Sequence, residues 1–360
     1  MALPAHQTKH LSTLVYPFFD TTLTLSQSDD GDSNGTALWL GAQCLSVFLA
    51  SVLPTFTSTP TSNPRRDSRT ASAFPGAVTS LILKPVGTQI IIQVSRCTRS
   101  LTSAFAFVYI NQYAPAIASN PFRAVELGSG VGLSALAMAS LGWDILATDT
   151  PAVINAVLKP NITRNAHFLR GNVHVRALDW TVPPEEWTWT DSTCVASPSS
   201  SRSTSTSNSS SSVSASKVNP DNSAEDSNVE DSLLGPPFDL ILTSDTVYAP
   251  NLVSPLLRTL RHLCLLSPSP SSKRKLRLKY SHAPLYLALE ARDPEVISSF
   301  FAQARNLWGF SAVRIPLQRV RRAMARGGLG NWERSEWEGV EIWRMVLLNV
   351  DTETTVSYNS

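Results

Sequence analysis

From Phe122 onward, hydrophobic and polar positions follow a regular alternation of short apolar runs and longer amphipathic stretches. The apolar runs predict buried strands that end at Leu127, Asp149, Trp180, Asp245 and Glu290. The amphipathic stretches predict helices at about 133–141, 251–266 and 294–308. Strands that alternate with helices are typical of a central, mostly parallel sheet with helices on both faces.

Two parts of this region depart from the alternation. A helical pattern begins at Pro151 and continues toward Leu169, and we expect Pro160 to interrupt or kink it. The last two β segments, 311–317 and 339–348, have no obvious helix between them, so they predict a terminal hairpin with an antiparallel strand. The basic stretch 319–326 favours a solvated loop or helix face, with contact to an acidic partner as the alternative.

The chain before Phe122 follows a different plan. Leu23 and Leu25 alternate with polar residues and indicate a β segment, and the apolar positions of 37–53 suit one face of a helix. We expect residues 1–53 to pack on a core that spans 122–350, with 54–121 as a divergent insertion. A second insertion, the serine-rich stretch at about 195–229, contains too few apolar residues to fold and is expected to be disordered.

Composition narrows the classes of partner and site. The chain has 360 residues, 42% of them hydrophobic, with four cysteines and six histidines. None of them shows metal-ligand spacing, so we expect reduced thiols and no metal site. A net charge of +2 is too small to indicate nucleic acid or a membrane surface as a partner. No signal peptide or membrane span is evident, so the expected location is the cytoplasm. The basic run 273–279 leaves a nuclear signal open.

The stretch E-L-G-S-G-V-G, from Glu126 to Gly132, joins the first strand of the regular region to a helix. Glycine lets the backbone approach a ligand closely, and a helix N-terminus offers free N–H groups. A dinucleotide fingerprint would need a glycine at position 133, which is leucine. Glu126 suits the ammonium of S-adenosyl-L-methionine and would repel a pyrophosphate, so this cofactor is favoured. Asp149 fits a carboxylate that accepts both ribose hydroxyls. Two alternatives stay open for this stretch: NAD as the ligand, or a glycine turn that serves only strand–helix packing.

Three further motifs follow one order along the chain: G-T-A-L-W at 35–39, L-D-W at 178–180 and D-L-I-L-T-S-D-T-V-Y at 239–248. Together with the glycine stretch, they resemble the seven-β-strand (class I) protein-lysine methyltransferases. The resemblance is most specific to the methyltransferase-like 21 group, with insertions of fungal type, and covers about 14–53 and 122–348. Members of this group modify lysines on elongation factors, ribosomal proteins and chaperones.

This resemblance implies a fold, a cofactor and a class of partner. The fold would be a Rossmann-like seven-stranded sheet with helices on both faces and a C-terminal antiparallel hairpin. The cofactor would be S-adenosyl-L-methionine. The partner would be a protein substrate, such as a translation factor, ribosomal protein or chaperone, bound by a monomer that contacts neither nucleic acid nor membrane.

The resemblance also implies roles for residues around the cofactor. Trp39 would lie over the cofactor entrance, Glu126 would face the ammonium, and Asp149 would bind the ribose. Residues Gly128, Ser129 and Gly130 would wrap the methionine end.

Three residues at later strand ends would complete the cofactor site. Trp180 would cover the adenine with Asp179 beside it, and Ser244 would line the floor. Core packing is the alternative role for Trp39 and Trp180.

Asp245 and Tyr248 are the candidate catalytic residues. They follow the fourth strand, where an acid suits a cationic amine through a charge-assisted hydrogen bond. Tyr248 would pack beside the aliphatic stem of a lysine, and Glu290 and Arg292 are lesser candidates for substrate contact. Asp245 has a helix cap as its alternative role. The predicted activity is lysine N-methyl transfer; a small-molecule substrate or a catalytically inactive binding protein remains possible from the sequence.

Overall fold

The computed structural model describes residues 2–28, 35–53, 121–198, 233–268 and 282–348. The predicted insertion at 54–121 lies outside these ranges except for its last residue, as does the basic run 273–279. Most of the serine-rich insertion also lies outside them, so its predicted disorder and the predicted division into domains stay predictions.

An eight-stranded sheet forms the centre of the described chain. Its strands are β3 (Arg123–Leu127), β4 (Asp144–Asp149), β5 (Val173–Leu178), β6 (Cys194–Ala196), β7 (Leu240–Ser244), β8 (Leu285–Glu290), β9 (Phe310–Arg314) and β10 (Val340–Leu347). The strand order is β6-β5-β4-β3-β7-β8-β10-β9. Only β10 runs antiparallel to its neighbours, β8 and β9. The predicted α/β fold is therefore confirmed, with the three-residue β6 added at one edge.

Helices cover both faces of this sheet. They are α2 (Leu40–Val52), α3 (Leu133–Ser140), α4 (Pro151–Val153, Ile154–Leu158 and Lys159–Asn165), α5 (Pro250–Leu265), α6 (Pro294–Asn306) and α7 (Leu317–Arg326). Buried residues of α2, α3, α4 and α7 belong to one hydrophobic cluster. Those of α5 and α6 belong to a second cluster on the other side of the strands. The apolar strands are thus buried on both faces, which is why they read as near-continuous hydrophobic runs.

The N-terminal region packs through a short helix and a hairpin. Helix α1 is Ala5–Thr8, and strands β1 (Thr13–Phe18) and β2 (Thr21–Ser26) pair antiparallel. Asn161 and Asn165 of α4 bind β2: their side-chain oxygens accept hydrogen bonds from the N–H groups of Ser26 and Thr24. The hairpin is therefore attached to the helix that follows β4.

Three details differ from the sequence expectations. The last two strands pair as predicted, but α7 lies between them, so the connection is not a tight hairpin. The apolar side of α7 is narrow, with Val320, Ala323 and Met324 buried among arginines, which hid it from the hydrophobic pattern. Residues 195 and 196 belong to β6 rather than to the serine-rich loop.

The helix from Pro151 is continuous past Pro160. A π-helical turn, Ile154–Leu158, precedes the segment that contains this proline. Pro160 then occupies a first-turn position of Lys159–Asn165. A proline inside a helix removes one backbone hydrogen bond, and the π-helical turn directly before Pro160 is where the hydrogen-bond pattern changes.

Candidate functional site

The candidate site lies where the connections from the sheet diverge. After β3 the chain adds β4 and β5 on one side, and it then returns to add β7 and β8 on the other side. Ligands of open α/β sheets bind at such a switch point, outside the carboxyl ends of the strands. The predicted cofactor and catalytic residues other than Trp39 lie at, or within a few residues after, the carboxyl ends of β3, β4, β5 and β7. The lesser candidates Glu290 and Arg292 lie at the carboxyl end of β8.

Two hydrogen bonds hold the glycine turn after β3 against the end of β4. The N–H of Gly130 donates to Oδ2 of Asp149 at 2.8 Å, and the N–H of Ser129 donates to the Thr148 carbonyl at 2.9 Å. Gly128 has a φ of 65°, and a Cβ there would lie 2.7 Å from Cγ2 of Thr246 and 3.3 Å from Cζ2 of Trp180. Only glycine fits this conformation and this spacing.

Glu126 is the buried acid of this turn. Its side chain is 1% exposed, and among the described residues Oε2 has no hydrogen-bond partner. Burial raises the pKa of this carboxyl to about 8, against hydrogen bonds from the Ser129 and Ser134 hydroxyls that lower it. An unpaired buried carboxyl oxygen is costly, and a cationic ligand group would relieve that cost.

Asp149 ends β4 with its carboxylate partly exposed. Besides the bond from Gly130, its Oδ1 accepts from the N–H of Thr150 at 2.8 Å. Burial raises the pKa of Asp149 to about 6, and these backbone donors oppose the rise. The carboxylate therefore sits on the glycine turn, at the position expected for a ribose-binding acid.

The two residues after β5 have different surroundings. Oδ1 of Asp179 accepts two hydrogen bonds from Thr181, from its N–H at 2.8 Å and its hydroxyl at 2.6 Å, and so closes the local turn. Trp180 packs against the second hydrophobic cluster with its ring beside Gly128. Its Nε1 is buried and finds no acceptor among the described residues. The structure thus brings Trp180 to the glycine turn and gives Asp179 a visible structural contact.

Asp245 follows Ser244, the buried last residue of β7, and has a φ of 54°. A non-glycine residue in this left-handed region is uncommon, and such strain clusters at active sites. The N–H of Asp245 donates to the Ala288 carbonyl at 2.9 Å, and its Oδ1 accepts from the N–H of Glu290 at 3.2 Å. Oδ2 is buried and lacks a hydrogen-bond partner within the described ranges.

Helix α2 brings its first turn to Asp245. A Cβ on Gly41 would lie 2.7 Å from both Cγ and Oδ1 of Asp245, and closer still to Oδ2. Burial raises the pKa of Asp245 to about 7; the charge of Glu290 adds to the rise, while Arg292 opposes it. This environment favours a carboxyl that changes its charge near neutral pH.

Trp39 immediately precedes α2, and two cations of this chain contact its ring. Nζ of Lys9 lies 3.8 Å and Cζ of Arg292 lies 4.4 Å from the ring centroid. Tyr248 has a more open position, with 49% of its surface exposed. Partial burial and the charge of Asp149 raise the pKa of Tyr248.

Sequence reasoning missed Gly41 and Lys9 as members of this site. Gly41 leaves a local signal, because a glycine inside an apolar helix pattern costs about 1 kcal/mol and often marks a close approach. Lys9 leaves no such signal, since its contact with Trp39 depends on how the N-terminal segment packs.

Comparisons with known proteins show similarity to lysine methyltransferases over part of the chain. Residues 98–193 match a family model described as "Lysine methyltransferase". Protein-lysine N-methyltransferase rrg1 of Schizosaccharomyces pombe is 35% identical over 72 residues, which is 19% of this chain and 23% of that protein. The matched stretch thus spans less than a quarter of the length of that relative.

The solved structures that match this chain have low sequence identity to it. A TehB-like SAM-dependent methyltransferase from Corynebacterium glutamicum is 13% identical, with a TM-score of 0.33, over 64% of this chain and 83% of that one. A human methyltransferase 10 domain-containing protein is 8% identical, with a TM-score of 0.32, over 65% and 75% of the two chains.

Two further findings concern the described residues. No described helix is long and apolar enough to cross a membrane. Within the same ranges, no group of three or more His, Cys, Asp or Glu side chains could hold a metal ion.

Proposed function

We propose that this protein is an S-adenosylmethionine-dependent methyltransferase that transfers a methyl group to the ε-amine of a lysine in a protein substrate. The observation that carries the proposal is the Oδ2 atom of Asp245, a buried carboxyl oxygen without a described hydrogen-bond partner at the switch point of the sheet. An acid in that state suits a cationic amine, because a charge-assisted hydrogen bond would satisfy it.

The residues around the glycine turn fit the proposed cofactor. The unpartnered Oε2 of Glu126 would accept from the ammonium of the cofactor, and the absent side chain of Gly128 would leave room beside Trp180. Asp149 would receive the ribose hydroxyls. The cofactor, when bound, supplies a methyl group on a sulfonium, which is an electrophile toward amines.

The chain itself would position the amine. Asp245 in its ionised form would hold the lysine ammonium, and Tyr248 would narrow the channel around the aliphatic stem. An unperturbed lysine has a pKa of about 10.4, so it arrives as an ammonium and must lose a proton before transfer. That proton would go to water, because the positive sulfonium disfavours a second cation nearby. Most of the rate enhancement would then come from alignment of the reacting atoms.

The finer assignment rests on the resemblance of the motifs. Within the lysine methyltransferases we propose the methyltransferase-like 21 group, and as substrates a translation factor, ribosomal protein or chaperone. The relative rrg1 is named a protein-lysine N-methyltransferase, which agrees with a protein substrate. We propose a cytoplasmic monomer, with the nucleus as a second location.

Calorimetry with S-adenosylmethionine tests the cofactor, with NAD as the matched competitor ligand. We expect binding of S-adenosylmethionine and none of NAD. Absence of binding at millimolar S-adenosylmethionine would overturn the proposal. A methyl-labelled cofactor, incubated with the protein and cell lysate, then distinguishes a protein substrate from a small-molecule substrate. Label in protein supports the proposed function, and label confined to small molecules contradicts it. Cofactor binding without any transfer would favour a catalytically inactive binding protein.

A further inference from the structure

The turn after β8 connects Asp245 to Trp39 through the backbone of Glu290 and the side chain of Arg292. Glu290 donates its N–H to Oδ1 of Asp245, and its carboxylate forms an ion pair with Arg292. The N–H of Arg292 also donates to the Glu290 carbonyl at 2.8 Å, which tightens the turn. The guanidinium of Arg292 lies over the ring of Trp39. A single turn therefore contacts both the candidate catalytic acid and the aromatic residue at the start of α2.

The charged and titratable groups around Asp245 come from two elements. The turn after β8 contributes Glu290, which favours the protonated form of Asp245, and Arg292, which favours the ionised form. Helix α2 contributes the N–H of Gly41, which favours the ionised form, and the thiol of Cys44. Burial and the charges of Asp245 and Glu290 raise the pKa of Cys44, so it stays a neutral thiol. Glu290 and Arg292 are thus the two side chains that set the charge on Asp245 from outside the buried core.

We propose that Glu290 and Arg292 are positioning residues that act on the substrate amine through Asp245. Glu290 fixes Oδ1 of Asp245 by its backbone N–H, so Oδ2 is the carboxylate oxygen without a described hydrogen bond. Arg292 holds the Glu290 carboxylate and the ring of Trp39 on the outer side of Asp245. This inference rests on the proposed function for its link to an amine, and its test is designed to separate the two.

Glu290 and Arg292 have opposite effects on the pKa of Asp245, so variants of the two residues should shift its titration in opposite directions. Glu290→Gln removes a negative charge and should move the titration of Asp245 to lower pH. Arg292→Gln removes a positive charge and should move it to higher pH. We expect each displacement to be about half a pH unit or more, since one nearby charge shifts a carboxyl by this order at a partly exposed site. Damage to the fold alone would not produce displacements of opposite sign.

The direct readout is the carboxyl ¹³C resonance of Asp245 in the full chain without cofactor, identified by its loss in Asp245→Asn. Opposite displacements in the two variants support the inference. No displacement, or displacement in the same direction, overturns it. Arg292→Lys keeps the charge and should titrate closer to the unmodified protein than Arg292→Gln; equal displacement of the two would contradict a role for the charge. Arg170→Gln, which breaks an exposed ion pair with Asp20, is the control.

The second readout is the pH dependence of kcat/KM for methyl transfer. Its acid limb should move to lower pH in Glu290→Gln and to higher pH in Arg292→Gln, since the ionised form of Asp245 holds the amine. Opposite displacements of the resonance in a protein without methyl transfer would support the control of Asp245 by Glu290 and Arg292 and overturn the proposed function, including the link to an amine. If both variants transfer methyl groups normally, and neither the resonance nor the acid limb moves, the proposed function stands and the inference about Glu290 and Arg292 is overturned.

Discussion

Gly41 and Asp245 occupy one shared space at the start of α2: the carboxylate of Asp245 lies where a side chain on residue 41 would be. The contact joins the N-terminal region to the carboxyl end of β7, two parts of the chain that are about 200 residues apart. It also explains why a glycine is found in the first turn of an otherwise apolar helix. The position of the acid therefore depends on the absence of a side chain in another element.

The smallest side chain at position 41 should displace the acid. We expect Gly41→Ala to lower kcat/KM for methyl transfer by about 100-fold, because a shift of about 1 Å at a reacting centre has effects of this order. Affinity for S-adenosylmethionine should change little, since the glycine turn is untouched. Calorimetry and a transfer assay measure the two quantities. Gly339→Ala is the matched control, because a Cβ there would meet Glu290 at an ordinary 3.8 Å. Equal activity of both variants would rule out the shared-space account.

Stability should fall as pH rises from about 5 to 8. Glu126 has a pKa raised from 4.5 to about 8 in the folded protein, so the folded state holds the proton more tightly than the unfolded chain. The stabilising effect of that proton is complete below pH 4.5 and is lost as pH rises toward 8. Asp149, raised from 3.8 to about 6, and Asp245, raised from 3.8 to about 7, act in the same direction over their own windows.

Replacing Glu126 should remove the part of this trend that its carboxyl contributes, while Asp149 and Asp245 keep theirs. We compare the free energy of unfolding of Glu126→Gln with that of the unmodified protein at each pH. The variant should gain about 1 kcal/mol or more at pH 8 over its difference at pH 5, since one unit of pKa shift corresponds to about 1.4 kcal/mol. Urea unfolding at the two pH values measures it. The exposed Glu186→Gln should show no such difference. A variant less stable at pH 8 than the unmodified protein would contradict the burial of an unpaired carboxyl.

Binding of S-adenosylmethionine should release a proton near pH 7.5. An ammonium beside Glu126 favours the ionised carboxyl and so lowers its pKa on binding. Calorimetry in buffers of different ionisation enthalpy counts the protons released. The effect should vanish in Glu126→Gln and for 5′-methylthioadenosine, which lacks the amino-acid tail. Equal proton release with both ligands would place the ammonium away from Glu126.

Loss of the Trp180 ring should weaken cofactor binding more than loss of the Trp187 ring, although both belong to the same hydrophobic cluster. We expect Trp180→Ala to weaken binding of S-adenosylmethionine by about 1–3 kcal/mol, the usual loss when an aromatic ring under a base is removed. Trp187→Ala removes a ring of the same cluster that lies 5.1 Å from the ring of His262. The Trp187 variant should unfold more easily but bind the cofactor normally. Comparable losses of affinity in both variants would indicate a packing role for Trp180.

Much of the fold could be predicted because its signals are local. The apolar runs of β3, β4, β7 and β8 are buried on both faces. Helices α5 and α6 are amphipathic, and Asp293 caps α6. The common edge of the strands then brings Glu126, Asp149, Trp180 and Asp245 to one region without further information. Helix α7 could be predicted only as a loop or a helix face, because few of its residues face the core.

The remaining parts of the site depend on contacts that no local pattern encodes. Gly41 meets Asp245, and Lys9 meets Trp39, only after α2 and the N-terminal segment have packed beside the sheet. The left-handed backbone of Asp245 is likewise visible only in the structure. Sequence could name the acid but not the turn and helix that hold it.

A comparison of the unmodified protein with Asp245→Asn tests whether this acid serves methyl transfer to lysine. Both are incubated with methyl-labelled S-adenosylmethionine and cell lysate, and the labelled protein is hydrolysed to identify the amino acid that carries the label. We expect labelled methyl-lysine with the unmodified protein, and a loss of about 100-fold or more in the variant at nearly unchanged cofactor affinity. Label on another amino acid, or equal labelling by the variant, would contradict it.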